Sequence, residues 1–296
     1  MKLWLCLFLL IGCRITAPQL EQQDFNDGSG GEGPSLAVIG DSISTGVLSD
    51  TRFGRSLSPA YTTEFFRLLL QGFNPKAFQE RFSNLTHSFA ATDEDWGLRG
   101  LIAKKHGFAH ATSIPVHIGA KFGGRLINVR GMLKQLQDSY RREGKVAEYV
   151  SVLLGANDFC ENQSPAAFEQ TYVEALKAIL TLHPRSTVLV GLIPDVASLV
   201  QHQHRYSPFF SCNTTRRFFC PPLLGEENAG AARLQAFNVA IEQACQVVSP
   251  HFQSTLRLVK GTGQFALEES DLAFDCFHPS KQMQQKLAEK MGAALL

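Results

Sequence analysis

The sequence predicts a three-layer α/β domain built on a parallel sheet of roughly five strands. Two observations predict it. Short β-branched apolar runs recur along the chain, nearly continuous, as strands buried on both faces require, and helical patterns lie between them. After Ser35 no internal repeat and no second linker interrupts that alternation, so strands joined by right-handed helical crossovers are the expected order.

Residues 1–17 read as an export signal: Lys2 supplies the positive start, residues 3–12 the apolar run, and Thr16-Ala17 a small-residue cleavage site. Ten apolar residues are too few to cross a bilayer core. Nothing else in the chain reads as a transmembrane segment. A second reading stays open, because Leu10-Ile11-Gly12-Cys13 is similar to the lipobox of bacterial lipoproteins, which would place cleavage before Cys13 and a lipid anchor on it. Either reading takes the protein out of the cytosol, secreted or anchored outside it. Residues 18–34 are polar, contain Gly28-Ser29-Gly30-Gly31-Glu32-Gly33, and have the composition of a flexible tether. The folded domain is residues 35–296.

Within it, Leu36-Ala37-Val38-Ile39 is the first strand, and a helix follows over 62–72. A weaker strand over 113–118 precedes a helix over 129–142, and 149–154 is strand again. Ser164 can cap and Pro165 start a helix that buries Phe168, Tyr172, Leu176 and Ile179. Strand 187–193, helix 229–248, strand 254–259 and a helix over 279–295 complete the series.

The 296 residues are 44% hydrophobic and 19% charged, enough to bury a sizeable core and outside the range of disordered chains. Twenty-eight Lys and Arg against 27 Asp and Glu leave a net charge of +1 with no run of one sign, which argues against nucleic acid as a partner. After cleavage at Ala17, Cys160, Cys212, Cys220, Cys245 and Cys276 remain. At most two bridges can form and one thiol is left over. Cys212 and Cys220 enclose the shortest loop and are the expected pair, with Cys160 the alternative partner for either. The glycosylation patterns at Asn84, Asn162 and Asn213 decide little.

In parallel α/β sheets function gathers in loops at the carboxyl ends of the strands. The first strand runs into Gly40-Asp41-Ser42-Ile43-Ser44, which places a hydroxyl where the next helix is expected to begin; Ser42 is either a nucleophile or a helix cap. The third ends in Gly155-Ala156-Asn157-Asp158, where the Asn157 amide either donates to a developing oxyanion or closes a turn. After the last strand, Asp275-Cys276-Phe277-His278 sets a carboxylate three residues before an imidazole, so that Asp275 can hold Nδ1 while Nε2 faces Ser42. Each signal alone is weak, and all three fall on one sheet edge.

At these residues the chain resembles the GDSL or SGNH hydrolases. Gly40-Asp41-Ser42-Ile43 matches the first block with Ile in place of Leu, Gly155-Ala156-Asn157-Asp158 the third, and Asp275-Cys276-Phe277-His278 the fifth. Val116-His117-Ile118-Gly119-Ala120 is the match for the second. The resemblance runs from Leu36 to the C-terminus and looks closest to the phospholipase B-type branch, on Ile39 to Gly46, Asn157-Asp158-Phe159-Cys160, Pro194-Asp195-Val196 and Phe277-His278-Pro279-Ser280. It implies a flavodoxin-like sheet and ester hydrolysis through an acyl-enzyme. Ser42 would attack, His278 would act as base and then acid, and Asp275 would orient His278. The backbone amides of Ser42 and Gly119 and the Asn157 side chain would form the oxyanion hole. No metal or other cofactor is expected.

The substrate expected is an acyl ester, of phospholipids or lysophospholipids. A carbohydrate acetyl ester, or a binding module that keeps the fold without catalysis, are the alternatives. His202-Gln203-His204 lacks a Cys or carboxylate at ligand spacing and reads as a solvated loop. Asp93-Glu94-Asp95-Trp96 reads as an acidic surface turn rather than a lid. Of the 22 Phe, those placed to line an acyl groove are Phe209, Phe210, Phe218 and Phe219, in the long segment after the fourth strand.

Overall fold

All five expected apolar runs pair into a single sheet, and their register decides where the functional turns lie. In the computed structural model the described residues are 34–51, 77, 85–161, 163–207, 210–224, 229–252, 254–264 and 267–295. Along the chain the strands are β1 (Leu36–Gly40), β2 (Val116–Ile118), β3 (Tyr149–Leu153), β4 (Thr187–Gly191), β5 (Arg205–Ser207), β6 (Phe210–Ser211) and β7 (Thr255–Val259). The helices are α1 (Leu98–Lys105), α2 (Val129–Glu143), α3 (Ala156–Cys160), α4 (Pro165–Leu182), α5 (Cys212–Phe219), α6 (Ala229–Val248) and α7 (Lys281–Ala293).

The main sheet has the order β2-β1-β3-β4-β7 with every pairing parallel. This is the doubly wound order, and its switch point lies between β1 and β3. Leu36, Ala37, Val38 and Ile39 are wholly buried, as a central strand covered on both faces must be. Edge strand β7 is exposed at Thr255 and buried only at Val259.

The helices supply the outer layers. Ser164 accepts from Ala167 N, Pro165 opens α4, and Phe168, Tyr172, Leu176 and Ile179 form its buried stripe, as expected. Helix α6 buries Leu234, Phe237, Ile241 and Ala244. Helix α7 begins two residues later than expected: Ser280 is the cap, accepting from Met283 N, and Pro279 is held in a bridge to Leu272. Among the described residues no helix is long and apolar enough to cross a membrane.

Helix α1, the small antiparallel pair β5 and β6, and helix α5 were not expected. The disulfides are Cys160–Cys220 and Cys212–Cys276, and Cys245 is a buried free thiol on α6. Two bridges and one thiol agree with the count, but the expected Cys212–Cys220 bridge does not form. Cys212 opens α5 and Cys220 is its C-cap. Eight helical residues separate their Cα atoms by about 12 Å, beyond the roughly 4–7 Å that a disulfide spans. The export signal, the tether, the helix over 62–72, Asn84, Asn162 and Phe209 lie outside the described residues.

Candidate active site

Gly40 is in register with Leu153, so the chain leaves β1 and β3 side by side at the switch point. The turn after β1 carries Ser42, and the turn after β3 carries Asn157. Residues 41–50 are consecutive turns rather than the expected start of a regular helix. Thr45 N donates to Asp41 O at 3.1 Å and Val47 N to Ser42 O at 3.1 Å, while Asp41 Oδ1 accepts from Ile43 N at 2.9 Å. The Ser42 N–H meets no acceptor among the described residues.

Three hydrogen bonds tie this turn to the segment bearing Asp275 and His278. Gln284, on the buried face of α7, donates from Nε2 to Ile43 O at 2.9 Å and accepts at Oε1 from Phe89 N at 2.8 Å. Lys281 N donates to Ser49 O at 2.7 Å, and Phe274 N donates to Thr51 Oγ1 at 3.0 Å. The bridge between Leu272 and Pro279, with Ala273 N donating to His278 O at 2.8 Å, closes residues 273–278 into a tight loop.

Inside that loop Asp275 serves two ends. Its Oδ1 accepts from Phe277 N at 3.1 Å and His278 N at 3.0 Å, and its Oδ2 lies 2.6 Å from His278 Nδ1. A buried carboxylate at that distance fixes the proton on Nδ1 and leaves Nε2 as the acceptor. Asp275 is 0% exposed, His278 2% and Ser42 5%. Cys276 takes a φ of +60°, unusual for a residue with a Cβ, and is bonded to Cys212.

The third side is the β3 turn. Gly155 takes a φ of +119°, and a Cβ there would meet Phe168 and Ile193 at 2.9 and 3.0 Å, so only glycine turns the chain at this point. Asn157 Nδ2 then donates to Gly124 O at 3.2 Å, which leaves its second proton for another acceptor. Asp158 is buried, and both its oxygens accept from Leu126 N, at 3.3 and 3.2 Å. Burial pushes its carboxyl up to about 6, opposed by that hydrogen bond and by Arg125. Burial likewise pushes Asp41 up to about 7, against the Ile43 hydrogen bond and the attraction of His278.

Gly119 does not stand where the sequence reading put it. Its N–H donates to Val38 O at 2.8 Å, so the sheet uses this amide and it is not open to an oxyanion. The chain turns toward the site later, where Gly124 N donates to Lys121 O at 3.0 Å and Gly123, at φ +64°, has no acceptor for its N–H among the described residues. Phe122 of this turn lies 5.8 Å from the His278 ring, centroid to centroid.

His202 Nε2 is 2.8 Å from Leu267 O, and no cluster of three His, Cys, Asp or Glu suited to a metal occurs among the described residues. The acidic turn is built into the structure: Arg99 pairs with Asp93, Trp96 and Lys281 with Glu94, and Ala111 N with Asp95. Asp41, Phe122 and Gln284 were missed as site residues. Only Gln284 had a signal, a polar residue in the buried stripe of Met283, Leu287 and Met291.

Among solved structures the chain resembles an active-site mutant of a family two carbohydrate esterase from Clostridium thermocellum, at 14% identity over 89% of this chain and 63% of that one, TM-score 0.52. It also resembles LAE5, an alpha/beta hydrolase enzyme from the metagenome of Lake Arreo, Spain (15%, 88% and 94%, TM-score 0.49), and the lipase/acylhydrolase from Enterococcus faecalis (13%, 88% and 94%, TM-score 0.46). At 14% identity, the likeness to the first of these speaks to the fold alone. No curated protein matches the sequence. The model of one family, the GDSL-like lipase/acylhydrolases, matches residues 38–286, from the first strand into the last helix, and the chain belongs to that family.

Proposed function

We propose that this protein is an exported serine esterase that hydrolyses acyl esters of phospholipids or lysophospholipids, in the manner of the phospholipase B-type branch. The observation that carries the reading is the buried contact of 2.6 Å between Asp275 Oδ2 and His278 Nδ1, in a loop hydrogen-bonded to the Ser42 turn. Ser42 Oγ attacks the ester carbonyl as His278 Nε2 takes its proton. His278 returns that proton to the departing alcohol, leaving an acyl-enzyme. Water, deprotonated by the same Nε2, then releases the acid and restores Ser42. Asp275 keeps the imidazole in the required tautomer. The Ser42 amide, the Asn157 side chain and the Gly123 amide stabilise the oxyanion; Gly123 replaces Gly119 in that role because its N–H meets no acceptor among the described residues.

The two disulfides fit an oxidising compartment, in keeping with an exported chain, free or lipid-anchored at Cys13. The test is labelling by a fluorophosphonate together with a panel of lysophospholipid, diacyl phospholipid and acetylated carbohydrate. Wild type should take the label on Ser42 and hydrolyse the phospholipid substrates, and Ser42→Ala should lose both while still folding. Turnover confined to acetylated carbohydrate would move the protein to that substrate class. A folded protein that neither labels nor turns over any ester would be a binding module.

A further inference from the structure

Helix α5 is fastened at both ends to the segments that carry the site. Cys212, its first residue, is bonded to Cys276, between Asp275 and His278, and Cys220, its C-cap, is bonded to Cys160, at the end of the helix that carries Asn157. The helix is eight residues long, CNTTRRFF, capped by Ser211, and its wholly buried Arg216 donates from Nη2 to His202 O. With those contacts, the two covalent ties fix its aromatic end relative to His278.

That end is a continuous aromatic strip. Phe219 stacks on Phe277 with centroids 5.5 Å apart and planes at 18°, and meets the His278 ring edge-on at 5.5 Å and 77°. It also meets Phe122 edge-on at 6.4 Å. Phe218 continues the strip, edge-on to Phe219 at 5.0 Å, and is 52% exposed. Aromatic rings thus run from the imidazole to the exposed Phe218 among the described residues. An acetyl group is too short to follow such a strip, whereas an acyl chain of several carbons is long enough to.

We infer that α5 is an acyl-selecting arm, with Phe219 as its specificity-determining residue and Phe218 as its outer contact, and that the occupant is an unbranched acyl chain of several carbons. This rests on the esterase reading of Ser42 and His278. The experiment compares kcat/KM for p-nitrophenyl acetate, butyrate and octanoate in wild type, Phe219→Ala, Phe219→Leu and Phe218→Ala. The octanoate-to-acetate ratio should fall about tenfold in Phe219→Ala, the worth of about two buried methylenes. It should fall less in Phe219→Leu and Phe218→Ala, and the change should sit mainly in KM. Should Phe219→Ala fail to fold, the exposed Phe218→Ala and the conservative Phe219→Leu carry the test. An active enzyme whose ratio stays within twofold of wild type in the folded variants overturns the inference alone. A wild type that hydrolyses none of the esters and takes no fluorophosphonate on Ser42 overturns the esterase reading and the inference with it.

Discussion

At Asn157 one amide proton is committed to Gly124 O, and the other has no acceptor among the described residues; on the proposed esterase reading it meets charge as it develops on a substrate oxygen. Removing such a donor typically costs about a hundred- to a thousandfold in turnover, while the lost bond to Gly124 costs about 1 kcal/mol of stability. Asn157→Ala should therefore lose kcat far out of proportion to KM and to melting temperature. Its neighbour should behave in the opposite proportion. Asp158→Ala strands the buried Leu126 N–H and should lower stability by about 1–3 kcal/mol, read by chemical denaturation. Another residue gives a pH test. His183 is wholly buried, with Nε2 2.7 Å from Tyr140 Oη, and burial pushes it down to about 4. Between that value and the ordinary histidine value near 6.5 the unfolded chain takes a proton that the folded chain refuses. The stability His183 contributes is thus complete above about pH 6.5 and is lost as the pH falls toward 4. Asp41, raised by burial to about 7, works with the reverse sign: its contribution is complete at low pH and lost as the pH rises toward 7. Comparison with His183→Gln isolates the first effect. The gap in unfolding free energy between the two proteins should narrow by as much as about 3 kcal/mol from pH 7 to pH 4. A constant gap would mean that His183 is protonated in the fold.

Helix α7 does more than cover the sheet, because Gln284 joins the serine turn to Phe89 through two buried hydrogen bonds. Gln284→Leu keeps the bulk, strands Phe89 N and removes one of the two donors to Ile43 O, which keeps Gly46 N at 3.2 Å, at a cost of about 1–3 kcal/mol. Displacement of Ser42 should lower turnover as well, and a denaturation curve with steady-state kinetics on the same sample checks both. What could be read in the sequence at this scale follows from how local each signal is. The strands were legible because β-branched runs such as Val188-Leu189-Val190 stand out unaided, and α4 because Ser164, Pro165 and its apolar stripe lie within one segment. Helix α1 was not legible. It carries Gly100, where a Cβ would meet the Asp95 backbone at 2.4 Å, and it packs on α7 where Gly292 admits Leu101, so its stability comes from residues nearly two hundred positions away. Helix α5 was hidden for a related reason, since its fixings are disulfides to distant segments. Ser42 and Asn157 could be put at the sheet's carboxyl edge because each lies within a few residues of a strand's end, and Asp275 and His278 because they lie just before the cap of the last helix. Gly119 misled because a three-residue edge strand gives no local sign of where pairing stops, and one further pair, Gly119 N to Val38 O, removes the amide.

For the molecule as a whole the two disulfides close loops across the sheet's carboxyl edge, with sequence separations of 60 and 64. Loops of this length restrict the unfolded chain enough to stabilise the fold by about 4 kcal/mol each on the chain-entropy account. Reduction by dithiothreitol should lower the melting temperature by well over ten degrees in a scanning experiment, and an unchanged midpoint would show that the bridges are absent from the folded protein. The same connectivity leaves Cys245 as the one free thiol among the described cysteines, 4% exposed on α6, with burial pushing it up to about 12. A thiol that is both covered and protonated does not meet a water-soluble alkylating reagent until the helix layer parts from the sheet. Its modification, followed by mass mapping, therefore counts molecules that have opened. The protein carries its own clock for excursions out of the native state.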